Sequence, residues 1–289
     1  MPTTTTTTDI PSRQLQARSP GRRTVVRLVL LAAAPLLACA GVWWLTRGAR
    51  GPGGGAEDPS SAAGHWKLVW NDEFDGRRLN LDKWLVADTH GKPQFPGELN
   101  SYDPDDVDVA GGSLVLRTRE LNDARRSTAP YISGRVSTQN KFEFTYGRVD
   151  VRAKLPGTQG IWPAIWMLPR DQWPPEIDVM EMLGNAPRRV YMTHHWGTRK
   201  HQEQSQSHFD GPDFTADFHV YSVEWSPGQI RWLIDGEERK VLTEHVPAGP
   251  MYLILNTAVG GDWAGAPDRT TALPQYFLID YVRIYQHRR

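Results

Sequence analysis

The chain has 289 residues, and its 33 basic and 33 acidic side chains give a formal net charge of zero at pH 7. That balance, without any basic stripe between aromatic residues, argues against nucleic acid as a partner. The one cysteine, Cys39, excludes a disulfide within the chain, and no cysteine–histidine cluster has the spacing of a zinc site.

The amino-terminal part of the sequence predicts an export or anchoring segment. Residues 1–21 are rich in Thr, Pro, Ser and Arg and are expected to form a disordered cytoplasmic tail. Residues 22–47 carry an arginine flank and then an apolar run of about 19 residues, close to the length that spans a bilayer. The positive flank predicts that the amino end stays inside the cell. Residues 48–64 read as a flexible linker.

Two other interpretations of this segment remain open. Arg22 and Arg23 begin a stretch that resembles a twin-arginine export signal, with a cleavage site around Cys39. The residues that lead up to Cys39 also resemble a lipoprotein acylation site. Apolar residues continue past Cys39 to Leu45, which favours an uncleaved anchor. All three interpretations put residues 65–289 outside the cytoplasm, either held at the cell membrane or secreted.

Short alternating runs of apolar and polar residues, separated by Gly, Pro, Asn and Asp, predict an all-β domain over residues 65–289. The clearest run is 148–155, where every second residue is apolar. The predicted strands are 113–118, 148–155, 189–197, 219–225, 230–235, 238–242, 251–258 and 276–285. No long amphipathic helix and no repeat interrupts them. Many short strands in about 220 residues predict a β-sandwich.

Residues 176–181 read Glu-Ile-Asp-Val-Met-Glu and are the most informative segment of the chain. Ile and Val favour a strand, on which Glu176 and Asp178 share one face. Glu181 reaches that face only if a β-bulge near Val179-Met180 inserts one extra residue. Clustered carboxylates cost stability, so a functional reason is expected. Two carboxylates about 5 Å apart on one surface are what a retaining glycosidase needs.

The tryptophans just upstream favour a sugar cleft over a solvated edge strand. Trp162, Trp166 and Trp173 all precede the acids closely, and flat indole faces stack well on pyranose rings. Trp225 and Trp232 lie instead on a predicted hairpin and are explained as core residues.

This combination of acids and tryptophans resembles glycoside hydrolase family 16, in its laminarinase-like branch with a bulged Glu-x-Asp-x-x-Glu motif. The resemblance extends from about Trp66 to Tyr285. Its segments follow the family order and are 70–74, 131–135, 146–156, 160–169, 176–181, 195–197, 256–261 and 279–285. It implies a jelly roll with a substrate cleft across the concave face of one sheet.

The resemblance also implies roles for individual residues. Glu176 matches the nucleophile, Glu181 the general acid/base, and Asp178 an acid that positions Glu176. The residues expected to contact substrate are Trp162, Trp166, His195, Trp263, Arg135 and Glu98. Gly97 stands where the family usually carries an asparagine that helps to hold sugar.

A structural calcium is the only metal that the resemblance implies, and the chemistry itself requires no cofactor. The matching positions are the backbone oxygens of Glu73 and Gly112 and the side chain of Asp280. Oxygen ligands of this kind suit calcium.

We therefore expect a monomeric, exported, retaining endo-glycosidase that hydrolyses internal β-1,3 bonds of laminarin-type glucans. Its expected partners are the β-glucan and, through the amino-terminal segment, the membrane. The alternatives are a galactan-type endo-hydrolase, a wall-remodelling transglycosylase of the same family, and a non-catalytic glucan-binding protein.

Overall fold

The computed structural model describes residues 65–121 and 128–288. The segments predicted over 1–21, 22–47 and 48–64, with Cys39, lie outside these residues. Within the described ranges, no helix is both long and apolar enough to cross a membrane.

Two antiparallel β-sheets packed face to face form the domain, which confirms the predicted all-β sandwich. The strands are β1 (Trp66–Asp72), β2 (Leu85–Val86), β3 (Asn100–Tyr102), β4 (Val107–Ala110), β5 (Ser113–Glu120), β6 (Tyr131–Ser133), β7 (Arg135–Ser137), β8 (Gly147–Lys154), β9 (Ile161–Leu168), β10 (Glu176–Met182), β11 (Arg189–Thr198), β12 (His201–Asp210), β13 (His219–Ser226), β14 (Gln229–Ile234), β15 (Glu237–Leu242), β16 (Tyr252–Val259) and β17 (Gln275–His287). A short 3-10 turn (Pro104–Asp106) and one helical turn, α1 (Gly261–Ala264), accompany them.

The seven-stranded sheet has the order β12-β11-β10-β9-β16-β7-β2. The ten-stranded sheet has the order β15-β14-β13-β8-β17-β5-β6-β3, with β1 paired to β17 and β4 paired to β5. Only the β3–β6 pair among the described strands is parallel. The order puts β10 in the middle of the seven-stranded sheet, with β9 on one side and β11 on the other.

The core lies between the two sheets and follows from the alternation in the sequence. Val149, Val151 and Ala153 of β8 are fully buried on the face that meets the other sheet, as predicted. Their neighbours Arg148 and Asp150 are also buried, because β8 is a central strand, and they pair with each other at 2.7 Å. Burying opposite charges as a bonded pair avoids leaving either one uncompensated.

Each predicted strand is present, with ends within two residues of the prediction. Trp225 and Trp232 are fully buried in the core, which confirms their structural interpretation. Several strands were not predicted from the sequence, and β12 is the longest of them. Its residues are almost entirely polar, because it forms the edge of the seven-stranded sheet and buries little on either face.

Candidate active site

One face of the seven-stranded sheet carries a cavity of about 400 Å³. Aromatic and aliphatic side chains make most of its wall, and carboxylates and one amide are the polar groups in it. Its lining residues are Phe95, Glu98, Trp162, Ala164, Trp166, Leu168, Trp173, Glu176, Asp178, Glu181, Asn256 and Ala258. An apolar cavity with a few converging polar groups is the usual form of a ligand site.

The bulge predicted in β10 is present and brings the three acids to one face. Asp178 pairs with Trp166 of β9, and Glu181 pairs with Ala164, so the two residues between the acids lie opposite the single residue Ile165 of β9. The register with β11 shifts over the same interval. Val179 and Met180, inside the bulge, are both buried in the core. The extra residue therefore restores Glu181 to the face that Glu176 and Asp178 share.

Glu176 lies between a tryptophan that follows β9 and a histidine of β11. Trp173 donates its indole N–H to Oε2 of Glu176 at 2.7 Å. Nε2 of His195 lies 3.8 Å from Oε1 of the same carboxylate, across the β10–β11 pair. Trp173 and His195 thus both lie close enough to orient the Glu176 side chain.

Asp178 is only 2% exposed and lies between the two glutamates on the strand face. Nε2 of His195 is 3.2 Å from Oδ2 of Asp178. Burial raises the pKa of Asp178 well above its usual range, and the neighbouring Glu176 raises it further. Among the described residues, Glu176, Asp178 and His195 form a group whose possible ligand atoms all lie within 4.8 Å of one another, close enough that they could hold a metal ion.

Glu181 is 9% exposed, and its environment differs from that of Glu176. The pKa of Glu181 is raised well above its usual range, chiefly by burial and then by the charges of Asp178 and Glu176. Trp162 opposes this shift by donating its indole N–H to Oε1 of Glu181 at 3.0 Å. The site thus combines Glu181, whose raised pKa suits a general acid, with Glu176, which shares its face and accepts a hydrogen bond, and such a pair can act as acid and nucleophile.

Trp162 and Trp166 lie on the same face of β9, and both line the cavity. Trp166 donates its indole N–H to Oδ1 of buried Asn256 at 2.7 Å, and this bond sets the plane of the ring. The Arg135 guanidinium lies 5.3 Å from the Trp166 ring and 6.0 Å from that of Phe95. Arg135 shares the face of Asn256, with which it pairs, and packs beside the cavity wall without being among the residues that line it.

The other predicted contacts lie around the rim. Glu98 lines the cavity and accepts a hydrogen bond from the backbone N–H of Phe95 at 3.2 Å. Burial raises the pKa of Glu98. Trp263, on α1, lies 5.2 Å from Trp162 and 4.8 Å from Tyr191, so it borders the Glu181 end of the site.

Residues behind the strand hold the backbone that carries the acids. His194 binds the backbone oxygen of Glu176 through Nδ1 at 2.8 Å, and Trp232 of the other sheet donates its indole N–H to the backbone oxygen of Asp178 at 2.8 Å. Neither was predicted as a site residue, and neither were Trp173, Asn256 and Phe95. The Trp173 position beside the acids was a usable signal. The others depend on contacts between strands distant in sequence.

The positions predicted for calcium are on the ten-stranded sheet, away from the cavity. Both β1 and β5 pair with β17, and the two pairings end on either side of Asp280, at Val282 and Ile279. Glu73, which follows β1, and Gly112, which precedes β5, therefore lie near Asp280. The Asp280 carboxylate accepts a hydrogen bond from Arg152 at 2.7 Å, and Glu73 pairs with Arg283 at 2.9 Å. The backbone oxygens and Asp280 form an oxygen donor set compatible with calcium, which remains a prediction.

Comparison with known proteins is consistent with this geometry. Glycosyl hydrolases family 16 is matched over residues 100–281. A beta-glucanase of Rhodothermus marinus is 38% identical over 256 residues, covering 79% of this chain and 88% of that protein. Glucan endo-1,3-beta-glucosidase A1 of Niallia circulans is 35% identical, over 80% of this chain and 39% of its own length. The solved laminarinase catalytic domain of Thermotoga maritima is 38% identical and superposes with a TM-score of 0.70. The match covers 78% of this chain and 99% of that domain.

Proposed function

The chain belongs to glycosyl hydrolases family 16, and from that premise we propose that it is a retaining endo-glycosidase that hydrolyses internal β-1,3 bonds of laminarin-type glucans. The observation that carries the proposal is the bulge in β10, which puts Glu176, Asp178 and Glu181 on one face of the cavity. Acids close together on one face leave no room for a water between sugar and carboxylate, which is the arrangement of retaining enzymes.

In the proposed mechanism, Glu176 attacks the anomeric carbon while Glu181 gives its proton to the departing glycosidic oxygen. The electron pair of the broken bond stays on that oxygen, and a covalent glycosyl–Glu176 ester forms. Glu181 then takes a proton from water, whose oxygen attacks the anomeric carbon and releases Glu176. Asp178 and His195, which lie beside Glu176, hold its carboxylate in position as it gains and loses the ester bond.

A neutral glucan is the substrate that the cavity wall favours. Trp162, Trp166 and Trp173 offer broad apolar surfaces, on which the faces of equatorial glucose rings stack. The described lining contains no Arg or Lys, whereas a sulfated galactan would call for cationic partners. The similar proteins of Rhodothermus marinus and Niallia circulans are a beta-glucanase and a glucan endo-1,3-beta-glucosidase, which supports this choice.

The deciding experiment compares initial rates on laminarin, lichenan, agarose and κ-carrageenan. We expect the fastest cleavage with laminarin, and proton NMR of the first product should show the β-anomer. The Glu176→Ala variant should lose activity by several orders of magnitude, whereas Glu203→Gln, on exposed β12, should keep it. Faster cleavage of a galactan would overturn the glucan assignment, and an α-anomer would overturn the mechanism.

The same digests separate hydrolysis from glycosyl transfer. A wall-remodelling transglycosylase would use every residue named above and would differ only in the acceptor. Chromatography should therefore show products shorter than the substrate throughout the reaction. Products longer than the substrate would favour the transglycosylase. A non-catalytic glucan-binding protein is disfavoured, because all three acids are present and share one face.

We also propose that residues 22–47 hold the enzyme outside the cytoplasm. The length of the apolar run and its arginine flank support this proposal. Fractionation of cells that express the full chain should find it in the membrane fraction, and protease added to wall-stripped cells should digest it. A free product that begins near Gly41 would support a cleaved signal instead.

For calcium, we propose a structural ion bound by the backbone oxygens of Glu73 and Gly112 and the carboxylate of Asp280. Adding Ca²⁺ to chelator-treated protein should raise the unfolding temperature. The increase should vanish in Asp280→Ala and persist in Glu203→Ala. If Ca²⁺ does not change the unfolding temperature of the wild type, the proposal is wrong.

A further inference from the structure

The cavity that holds the three acids lies on one side of β10. Its lining comes from β9, β10, β16, the segment 95–98 and Trp173, and none of the described residues of β11 or β12 contributes to it. An enzyme that cuts inside a chain must hold sugar on both sides of the bond it breaks. The lining of the cavity supplies a surface for one of these arms, on the β9 side of β10.

The direction of the second arm follows from the arrangement of the acids. Glu176 and Glu181 lie one behind the other along β10. Because they act on the same glycosidic bond from two sides, the chain that passes between them crosses the strands. On the side away from Trp166, the strands that it meets are β11 and then β12, which is the edge of the sheet.

The face that carries the acids continues without a register shift from β11 onto β12. Residues directly opposite one another on paired strands point to the same face. Three rows therefore cross the sheet from the acids to its edge: Glu176–His195–Gln204, Asp178–Thr193–Gln206 and Glu181–Tyr191–His208. With neighbouring strands ~4.8 Å apart, the glutamines of β12 begin ~10 Å from the acids.

The side chains at the end of these rows suit a neutral, hydroxyl-rich ligand. Gln204, Gln206 and His208 are exposed. An amide offers both donors and acceptors, which is what sugar hydroxyls require. Gln206 is oriented by a hydrogen bond from its Nε2 to Oγ1 of Thr193 at 3.3 Å, so its amide lies over the row that begins at Asp178. The charge of Asp210, farther along the strand, is balanced by Arg189 at 2.7 Å.

The strand that presents these amides is fixed to the rest of the domain. Lys240 of β15 donates from Nζ to the backbone oxygen of Met192 at 3.0 Å and also to that of Ser205. It thus holds both β11 and β12 against the ten-stranded sheet. An edge strand fixed from behind presents its outer side chains at a constant distance from the acids, which a binding surface needs.

We propose that Gln204 and Gln206 bind the arm of the β-glucan chain that extends past Glu176 and Glu181 on the side away from Trp166. The site rests on the proposed glucanase function and adds to it a surface outside the cavity. Its consequence is a dependence on chain length, because only a chain long enough to reach β12 gains these hydrogen bonds.

The test compares kcat/KM of the wild type and of the Gln204→Ala/Gln206→Ala variant on β-1,3-gluco-oligosaccharides of increasing length. We expect no change with the shortest oligosaccharide that is cleaved and a loss of about tenfold with the longest, as two neutral hydrogen bonds allow. Glu203→Ala is the matched control, because Glu203 is exposed on the same strand with its side chain on the opposite face. It should behave as wild type at every length.

The possible outcomes distinguish a failure of the Gln204–Gln206 site from a failure of the proposed glucanase function. If the wild type cleaves no β-1,3-glucan, the proposed function is wrong and the site falls with it. If the wild type cleaves glucan and the double variant loses nothing, or loses equally at every length, the site alone is wrong. A changed molar mass of the double variant in light scattering, without length dependence, would assign this face to contact with a second copy of the chain.

Discussion

At the scale of single residues, the proposed mechanism depends on the proton of Glu181, because a general acid must begin protonated. Glu176, its partner in the reaction, is half-buried and accepts a hydrogen bond from Trp173. Burial and two neighbouring acids raise the pKa of Glu181, which favours a protonated carboxyl. The indole N–H of Trp162 works against that shift, because a donor stabilises the ionised form of Glu181.

Trp162→Phe should therefore move the alkaline limb of the kcat/KM profile to higher pH. Loss of the indole donor raises the pKa of Glu181 further, so the acid keeps its proton, and its activity, to a higher pH. The measurement is kcat/KM against pH on one soluble glucan. Trp263→Phe is the control, since Trp263 packs on Trp162 without a hydrogen bond to Glu181. A limb that shifts to lower pH would contradict this account of Glu181.

At the scale of strands, the bulge in β10 is supported by the opposite sheet. A bulge interrupts the ladder of backbone hydrogen bonds, so its carbonyls need other donors. Trp232 of β14, which is fully buried, donates its indole N–H to the backbone oxygen of Asp178 in this interval. Lys240 packs its Nζ 4.6 Å from the Trp232 ring, and burial lowers the pKa of Lys240 to about 8. The conformation that presents Glu181 thus depends on residues far away in the sequence.

Trp232→Phe should lower both stability and activity. An unsatisfied buried carbonyl costs about 1–3 kcal/mol, and a small displacement of the acids lowers kcat roughly ten- to a hundredfold. Trp225→Phe is a matched control, because Trp225 is also fully buried and donates to the backbone oxygen of Pro247 at 2.9 Å, away from the bulge.

Urea unfolding and kcat should be measured on both tryptophan variants. A comparable loss of stability in both, with a loss of kcat in Trp232→Phe alone, supports the assignment. Equal kcat in the two variants would show that the Trp232 bond does not position the acids.

At the scale of the whole molecule, the buried acids of the site lower the stability of the fold. Asp178 and Glu181 are buried acids whose pKa values are raised well above the usual range, chiefly by burial. An acid with a raised pKa in the folded state destabilises the fold as pH rises from the unfolded-state pKa to the folded-state pKa, because the unfolded chain releases the proton more readily. The large core between the two sheets offsets that cost.

Glu181→Gln should accordingly stabilise the protein at neutral pH and leave its stability nearly unchanged at acidic pH, where Glu181 is protonated in both states. The difference in unfolding temperature between variant and wild type should grow with pH. Differential scanning calorimetry over a pH series measures it. Glu203→Gln, which removes an exposed charge on β12, should show no such growth. A difference that shrinks as pH rises would contradict the raised pKa of Glu181.

The amino-acid sequence by itself determined the β-sandwich, most of the strand positions and the face of β10 that carries the acids. These depend on short-range patterns: alternation along a strand, turn residues between strands, and the parity argument that requires a bulge between Asp178 and Glu181. The core positions of Trp225 and Trp232 followed from the same patterns. Polar β12 was not predicted, because a strand that buries little has no apolar alternation to reveal it.

Only the tertiary structure decided what surrounds the acids. The bonds from Trp232 to Asp178, from His194 to Glu176 and from Trp166 to Asn256 join segments 18 to 90 residues apart. Strand order determines such contacts, and strand order arises from the packing of two sheets rather than from any local pattern. The same packing buries Glu181 beside Asp178 and Glu176, and that burial, with the charges of the two acids, raises the pKa of Glu181.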